Sequence, residues 1–187
     1  MTNNRTAIAL VTSLFFLWAL AHNLNPILIP HLRKALQLTD LRSALVDSAF
    51  FIAYFVMALP AGALMKRFGY RAGIVGGLLL FATGTFLFWP AATLRSYPFF
   101  LSALFVIASG LTFLETAANP YISVLGDPAT APRRLNFAQA FNGLGAALAA
   151  FFGGRFILSG TALSPAEQAA MEPGALDAYL ANEALAV

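Results

Sequence analysis

Five long stretches of apolar residues, separated by short polar segments, dominate the pattern of this chain. They cover residues 7–29, 44–65, 72–91, 98–125 and 135–158. A helix needs about 20 mainly apolar residues to cross the ~30 Å hydrocarbon core of a bilayer, and each stretch meets that length. The ~10-residue alternating segments typical of a transmembrane β-barrel do not occur in the pattern. The sequence therefore predicts an all-α transmembrane fold, with a five-helix bundle over residues 1–158.

The composition excludes several classes of protein. Hydrophobic residues make up 59% of the chain and charged residues only 10%, whereas a soluble domain carries roughly 25% charged residues. This excludes an ordinary cytosolic enzyme and a disordered chain. The net charge of +3 does not indicate nucleic-acid binding, because the basic residues are scattered among apolar runs. Two separated histidines, no cysteine and no catalytic motif predict no metal site, no cofactor and no enzymatic activity.

The distribution of positive charge favours a cytoplasmic N-terminus. With that orientation, six of the 11 Lys and Arg residues fall on the cytoplasmic side, namely Arg5, Lys66, Arg67, Arg71, Arg133 and Arg134. Positive charge is usually enriched in cytoplasmic loops, so this small excess favours the N-in arrangement. A cleaved signal peptide is disfavoured, because the first apolar stretch continues to residue 29 and four further spans follow it.

Residues 159–187 differ from the rest of the chain, because they contain four acidic residues and neither Lys nor Arg. After five spans they would form an extracytoplasmic acidic loop. Ser164, Pro165 and Glu167 have the pattern of a capping box that begins a short helix. We expect Pro-Gly at 173–174 to end that helix before a second one from Ala175. The chain turns apolar again at 185–187, where we expect a sixth span to begin.

Polar residues inside the predicted spans form three clusters. A charge at the bilayer centre costs ~2.5–3.5 kcal/mol on insertion scales, and polar groups there either carry function or bond neighbouring helices together. Amide side chains both donate and accept hydrogen bonds, as recognition of a hydroxyl-rich ligand such as a sugar requires. The clusters are His22, Asn23 and Asn25 in the first span, Glu115, Thr116 and Asn119 in the fourth, and Asn136, Gln139 and Asn142 in the fifth.

Two acidic residues in the spans are candidates for binding a proton. A carboxyl group in a low-dielectric site can exchange a proton near neutral pH, which would couple a proton gradient to the movement of a solute. Glu115 is the first candidate. Asp47 lies a few residues into the second span, where it either sits at the membrane interface or faces the same cavity as Glu115. We interpret His22 as a packed, interfacial histidine.

Three strings in the sequence resemble a known family. They are NLN at 23–25, LETAANP at 114–120 and LNFAQAFN at 135–142. Together they are similar to the fucose permease family, which comprises sugar–proton symporters of the major facilitator superfamily and is close to the bacterial glucose/galactose permeases. The resemblance extends from about residue 15 to the end of the chain. It corresponds to the first five of the family's twelve helices and the loop before the sixth.

The resemblance implies roles for the clustered polar residues. Glu115 would be the protonatable group at a sugar cavity lined by Gln139 and Asn142. The secondary lining residues would be Asn23, Asn25 and Asn119. The resemblance also implies a cytoplasmic N-terminus and a loop over residues 62–71 that acts as a conformational latch.

One position departs from the family pattern. In the family pattern, Asn-Leu-Asn is followed by an aspartate that serves as the second protonation site. This chain has Pro26 at that position. We expect Pro26 to break the first helix and to free a carbonyl that could bind a cation or a sugar hydroxyl. We hypothesise that Asp47, on the neighbouring span, substitutes for the missing acid.

The polar clusters together with the family resemblance imply a sugar transporter of the bacterial inner membrane. It would import a hexose or fucose with protons by alternating access, with the remaining C-terminal helices of the carrier as partners. Two alternatives stay open. One is a non-transporting membrane protein, either truncated or a sugar sensor acting through a partner, and the other is a half-transporter that pairs with a separately encoded half.

Overall fold

The computed structural model describes residues 4–157 and 163–185, which form helices and no strand. The predicted end of the fifth span at 158 and the apolar residues 186–187 lie outside the described residues. Five of the helices are long and apolar enough to cross a membrane, which confirms the prediction of an all-α fold with five spans. The elements are α1 (Asn4–Ala35), α2 (Asp40–Phe68), α3 (Tyr70–Thr93), α4 (Tyr97–Val124), a short 3-10 turn (Pro128–Thr130), α5 (Ala131–Ile157), α6 (Pro165–Ala169) and α7 (Pro173–Leu185).

All five long helices begin earlier than the predicted spans, and α1 to α3 also continue beyond them. Hydropathy detects the residues that can lie in lipid, whereas backbone hydrogen bonding continues into the polar residues on either side. The connection between α1 and α2 is consequently short, covering residues 36–39. Thr39 caps α2, because its Oγ1 accepts a 3.4 Å hydrogen bond from the backbone N–H of Arg42.

The prediction of a loop over residues 62–71 is wrong. α2 continues to Phe68, and α3 begins at Tyr70, so a single residue separates the two helices. That residue is Gly69, with a φ of +82° that side-chain-bearing residues rarely adopt. Its N–H still donates a 2.8 Å hydrogen bond to the carbonyl of Met65. Almost no backbone between α2 and α3 therefore lies outside helical hydrogen bonding.

The expectation that Pro26 breaks the first helix is also wrong. α1 continues through Pro26 and Pro30 to Ala35, and α4 likewise continues through Pro120. Transmembrane helices tolerate proline because each one removes a single backbone donor while the surrounding hydrogen bonds persist. Pro26 itself is exposed, so its ring needs no space between packed helices.

Two close helix pairs form the frame of the bundle. In the first pair, α3 contacts α4 so tightly that a Cβ added to Gly110 would lie 2.7 Å from the carbonyl oxygen of Gly77. In the second pair, α5 contacts α1, and a Cβ added to Gly145 would lie 2.4 Å from the carbonyl oxygen of Phe16. Small residues permit this approach of helix backbones in a membrane. α4 also packs against α2, α1 and α5, and is the most buried helix.

The segment after α5 packs back onto the bundle at the end where α1 and α3 finish. Nε2 of His31 donates a 2.6 Å hydrogen bond to the backbone carbonyl of Glu183, Arg95 forms an ion pair with Asp177, and Leu180 is buried. α7 therefore bridges the ends of two spans. It begins at Pro173, two residues before the predicted start, because proline is well tolerated in the first turn of a helix.

The predicted capping box at the start of α6 is confirmed. The Ser164 hydroxyl accepts from the backbone N–H of Glu167, and the Glu167 carboxylate accepts from the Ser164 backbone N–H and hydroxyl, each at 2.7 Å. These hydrogen bonds favour the ionised carboxylate, with the hydroxyl contributing most, and they lower the pKa of Glu167 below its usual value.

At the opposite end of the bundle, Arg134 of α5 holds the end of α4. Its guanidinium donates hydrogen bonds to the carbonyls of Ile122 at 3.2 Å, Ser123 at 2.9 Å and Asp127 at 2.9 Å. The last carbonyls of a helix have no partner inside that helix. Arg134 supplies donors to two of these carbonyls in α4 and so fixes the start of α5 against the end of α4.

Candidate functional site

A polar recess of about 190 Å³ lies between α1, α4 and α5. Three of the five long helices contribute side chains to it, as expected for a site in the interior of a helix bundle. The lining residues are Trp18, Ala19, His22 and Asn23 from α1, Glu115 from α4, and Gln139 and Asn142 from α5. Four of the seven predicted site residues therefore share one recess, namely Asn23, Glu115, Gln139 and Asn142.

The close contact of α1 with α5 determines the shape of the recess. Gly145 allows α5 to approach the backbone of α1 at Phe16. One turn earlier on α5, Nδ2 of Asn142 reaches the carbonyl oxygen of Phe15 at 3.4 Å. On α1, Nδ2 of Asn23 donates a 2.7 Å hydrogen bond to the carbonyl of Ala19 in the preceding turn. Both amides keep their oxygen atoms for other partners.

A chain of hydrogen bonds connects the α4 and α5 sides of the site. Nε2 of Gln139 donates to Oδ1 of Asn119 at 3.1 Å, and Nδ2 of Asn119 donates to the backbone carbonyl of Glu115 at 3.0 Å. Asn119 does not line the recess, but it orients Gln139, which does. The predicted role of Asn119 as a lining residue therefore becomes that of a support for the lining.

The carboxyl group of Glu115 has no hydrogen bond or ion pair with any residue among 4–157 and 163–185. The side chain is half-buried at the wall of the recess. An acidic group in this position can exchange a proton with the recess or accept hydrogen bonds from a bound hydroxyl. No structural partner among the described residues competes for it.

His22 lines the recess, although its residue type and position alone favoured a purely structural role. Its Nδ1 lies 3.2 Å from the hydroxyl oxygen of Tyr54, and its ring packs edge-on against Phe50 and Tyr54. Trp18 also lines the recess and was missed. Trp18 and His22 are four residues apart, and residues with that spacing lie on one face of a helix. This spacing could have indicated that both side chains face the same site.

Asn25 and Asp47 lie away from the recess. Nδ2 of Asn25 donates a long, 3.5 Å hydrogen bond to Oδ1 of Asp47, so these two residues contact each other between α1 and α2. Asn25 is only two positions from Asn23, but that spacing rotates a side chain by about 200° around a helix. Asp47 therefore does not face the same cavity as Glu115, contrary to one of the two expectations for it.

The arrangement is suited to binding a polar solute. Amide groups and a carboxyl group converge on one recess beside the indole of Trp18, and they offer both donors and acceptors. Among the described residues no group of three or more His, Cys, Asp and Glu side chains is placed to hold a metal ion.

Comparison with known proteins identifies the family. The profile of the Major Facilitator Superfamily matches residues 7–164 of this chain. The chain belongs to the Major Facilitator Superfamily. Members with curated names are similar over most of its length, and the long apolar helices are those of a multi-pass membrane protein.

Two of these superfamily relatives are about half identical to the chain. The L-fucose-proton symporter of Escherichia coli (strain K12) is 53% identical over 151 residues, which is 81% of this chain and 34% of the relative. The glucose/galactose transporter of Brucella abortus biovar 1 (strain 9-941) is 52% identical over 153 residues, or 82% of this chain and 37% of the relative. The chain thus spans little more than a third of the length of these curated relatives.

A solved structure of the superfamily has the same arrangement of helices. The transporter FucP in the outward conformation superimposes with a TM-score of 0.85 and 48% sequence identity, covering 97% of this chain and 44% of that one. A crystal structure of the Escherichia coli fucose:proton symporter FucP gives the same TM-score at 46% identity. The relatives are transporters, and the resemblance read from the strings at 23–25, 114–120 and 135–142 is confirmed at the level of the family.

Proposed function

We propose that this chain provides the first five helices of a sugar transporter that imports a hexose or fucose together with protons. The observation that carries this proposal is the recess in which Glu115 meets Asn23, Gln139 and Asn142. Transporters of this type bind their substrate near the bilayer midplane, between two sets of helices that move around it. The names of the relatives, a fucose-proton symporter and a glucose/galactose transporter, support the same substrate class.

In this proposal, the recess residues have separate roles in sugar binding and in proton coupling. Gln139 and Asn142 bind sugar hydroxyls through their amide groups, and Asn23 contributes a further acceptor from α1. Asn119 orients Gln139 through their 3.1 Å hydrogen bond. Glu115 binds the transported proton, because its carboxyl group faces the recess without a described structural partner.

Asp47 is proposed as the second acidic group of the transport cycle, in place of the aspartate that Pro26 replaces. Asp47 lies on α2 opposite Asn25, one position before Pro26 in α1. It is therefore close in space to the position where the family pattern has its acid. Asn25, which lies away from the recess, would orient Asp47 and not bind sugar directly.

The proposed setting is the bacterial inner membrane, with the N-terminus in the cytoplasm and the remaining C-terminal helices of the carrier as partners. The relatives are bacterial proteins about three times as long as the matched region, which supports the need for further helices. In this orientation Arg71, Arg133 and Arg134 lie on the cytoplasmic side, and α6 and α7 lie outside.

The test is proton-driven sugar uptake by the complete carrier in membrane vesicles. We expect Glu115→Gln to abolish accumulation against a gradient while leaving exchange of sugar across the membrane, because the amide preserves the shape of the site but binds no proton. Glu167→Gln, an exposed glutamate of α6, is the matched control and should transport normally. Full accumulation by the Glu115→Gln variant would refute the role of Glu115.

The alternative of a sugar sensor acting through a partner depends on the acidic segment being a free surface. Part of that surface is already occupied, since Asp177 pairs with Arg95 and Leu180 is buried against the bundle. Sugar binding without any transport by the complete native gene product would favour the sensor over the transporter.

A further inference from the structure

Two buried oxygen atoms lie without hydrogen-bond partners where α1 and α2 approach the end bridged by α7. They are Oδ1 of Asn25 and Oγ of Ser43. Asn25 is 5% exposed and Ser43 is 8% exposed, so water in the surrounding solvent does not satisfy them. Leaving a polar atom buried without a partner typically costs about 1–3 kcal/mol, and each such atom calls for an explanation.

A carboxylate lies beside these two atoms. Asp47 follows Ser43 by four residues on α2, which places the two side chains on the same face of that helix. Oδ1 of Asp47 is 3.5 Å from Nδ2 of Asn25, at the outer limit of a hydrogen bond. The carboxyl group and the amide thus meet between two facing helices through one weak hydrogen bond, and the unpartnered hydroxyl lies one turn away on the face of α2 that carries Asp47.

No described positive charge balances Asp47. The three nearest arginines along the chain on this side of the bundle are engaged elsewhere. Arg33 pairs with Asp40 at 2.6 Å, Arg95 pairs with Asp177, and the guanidinium of Arg42 lies 5.8 Å from the centre of the Tyr97 ring. A partly buried carboxylate without a paired cation is unfavourable in a low-dielectric environment.

Two prolines leave further backbone oxygen atoms of α1 without their usual helical donor. A proline has no N–H, so Pro26 leaves the carbonyl of His22 without its helical donor, and Pro30 does the same for the carbonyl of Pro26. Backbone carbonyls of unwound helices coordinate sodium in membrane transporters, and the freed carbonyls of α1 are oxygen ligands of the same kind. Pro26 directly follows Asn25, and Pro30 lies about one turn further along α1.

We propose that Asp47, Asn25 and Ser43 form a binding site for a sodium ion. All the available donors are oxygen atoms, which are the ligands that hard cations prefer. A single carboxylate matches the single charge of sodium, whereas calcium sites usually combine several carboxylates. This site is separate from the sugar recess. It shares Asp47 and Asn25 with the proposed transport cycle, and it goes beyond that function because cation binding does not require that sugar be transported.

The first experiment measures sodium binding to the purified full-length protein in detergent. We expect ²²Na⁺ to bind, with competition by NaCl and not by KCl or choline chloride. We also expect a melting temperature about 3 °C higher in NaCl than in choline chloride of equal ionic strength. A melting temperature and ²²Na⁺ binding that do not distinguish the salts would overturn the proposal.

Variants then locate the site. Asp47→Asn should abolish sodium-specific binding. Ser43→Ala, which keeps the negative charge of Asp47, should weaken sodium binding at least about tenfold, because removing even an outer-shell partner of a metal causes a loss of that size. The matched control is Asp40→Asn, which removes an exposed acid of α2 and should bind sodium normally. Sodium-specific binding that survives in both Asp47→Asn and Ser43→Ala would place the ion elsewhere and refute the assignment.

Glu115→Gln separates this proposal from the proposed transport function. The variant should lose accumulation of sugar but keep sodium binding, because Glu115 lies in the recess and not between α1 and α2. If the wild-type protein binds sodium but transports no sugar, the transport proposal fails alone. If it transports sugar with no sodium-specific binding, the cation site fails alone.

Discussion

Nε2 of Gln139 lies 3.1 Å from Oδ1 of Asn119, and this hydrogen bond joins α5 to α4 beside the recess. Asn119 in turn donates to the backbone carbonyl of Glu115. Gln139, which lines the recess, is therefore held in place by Asn119, which does not line it. An amide has a donor end and an acceptor end, so this support leaves the Gln139 oxygen available to a ligand.

The first prediction concerns the coupling of these two residues. Asn119→Ala and Gln139→Ala should each weaken sugar binding by the complete carrier, and the double variant should lose less than the sum of the two, because both substitutions break the same hydrogen bond. We expect a coupling energy of about 1 kcal/mol in sugar-binding calorimetry. Asn136→Ala, on an exposed position of α5, is the control. If the two losses of sugar-binding free energy simply add in the double variant, Asn119 does not orient Gln139.

The second prediction concerns the contact between α1 and α5. A Cβ at residue 145 would lie 2.4 Å from a backbone oxygen of α1, so Gly145→Ala should force the helices apart and destabilise the bundle by about 1–3 kcal/mol. Gly143→Ala, where nothing lies within 4 Å of the added carbon, should leave stability nearly unchanged. Thermal unfolding in detergent compares the two. Equal melting temperatures would show that α1 and α5 are not in backbone contact.

The third prediction concerns the end of α4. Arg134→Ala should destabilise the protein by about 1–2 kcal/mol, since several backbone carbonyls lose their donor at once. Arg134→Lys should rescue only part of this loss, because an ammonium group cannot span the carbonyls as a planar guanidinium does. Arg133→Ala removes an adjacent exposed charge and serves as the control in denaturant titrations. Full rescue by lysine would reduce the role of Arg134 to its charge.

The fourth prediction concerns pH. The Ser164 hydroxyl and backbone N–H lower the pKa of Glu167, so the carboxylate's contribution to the α6 cap is present at neutral pH and is lost as the pH falls through that pKa. The titration of Glu167 can be followed by NMR of ¹³C-labelled glutamate. Ser164→Ala should shift the titration midpoint of Glu167 upwards. An unchanged midpoint would mean that the capping box does not form in solution.

The sequence predicted most of the fold and the centre of the site, and its failures have a physical cause. Hydropathy finds residues that can lie in lipid, so the five spans were evident, but it does not report backbone hydrogen bonds. For that reason the near-continuous helix around Gly69 and the passage of α1 through Pro26 were missed. Both depend on tertiary packing, which overrides the local preferences of proline and glycine.

The division of the polar residues between two places could not be predicted. Helical spacing shows that Asn23 and Asn25 point in different directions, but it does not show which neighbour each one meets. That depends on where α2 lies relative to α1, which follows from packing along the whole length of the helices. Asp47 was consequently assigned to either of two environments, and the structure places it in neither the recess nor an ion pair among the described residues.

The position of α7 has a mechanical consequence for the bundle. α7 is attached to α1 through His31 and to the turn directly after α3 through Arg95, so the ends of these two spans cannot separate without breaking a hydrogen bond, an ion pair and the contacts of Leu180. At the opposite end of the bundle, no element among the described residues connects α1 to α3 in this way. A force that pulls α1 away from α3 would therefore separate them mainly at that end, and least at the end that carries α7.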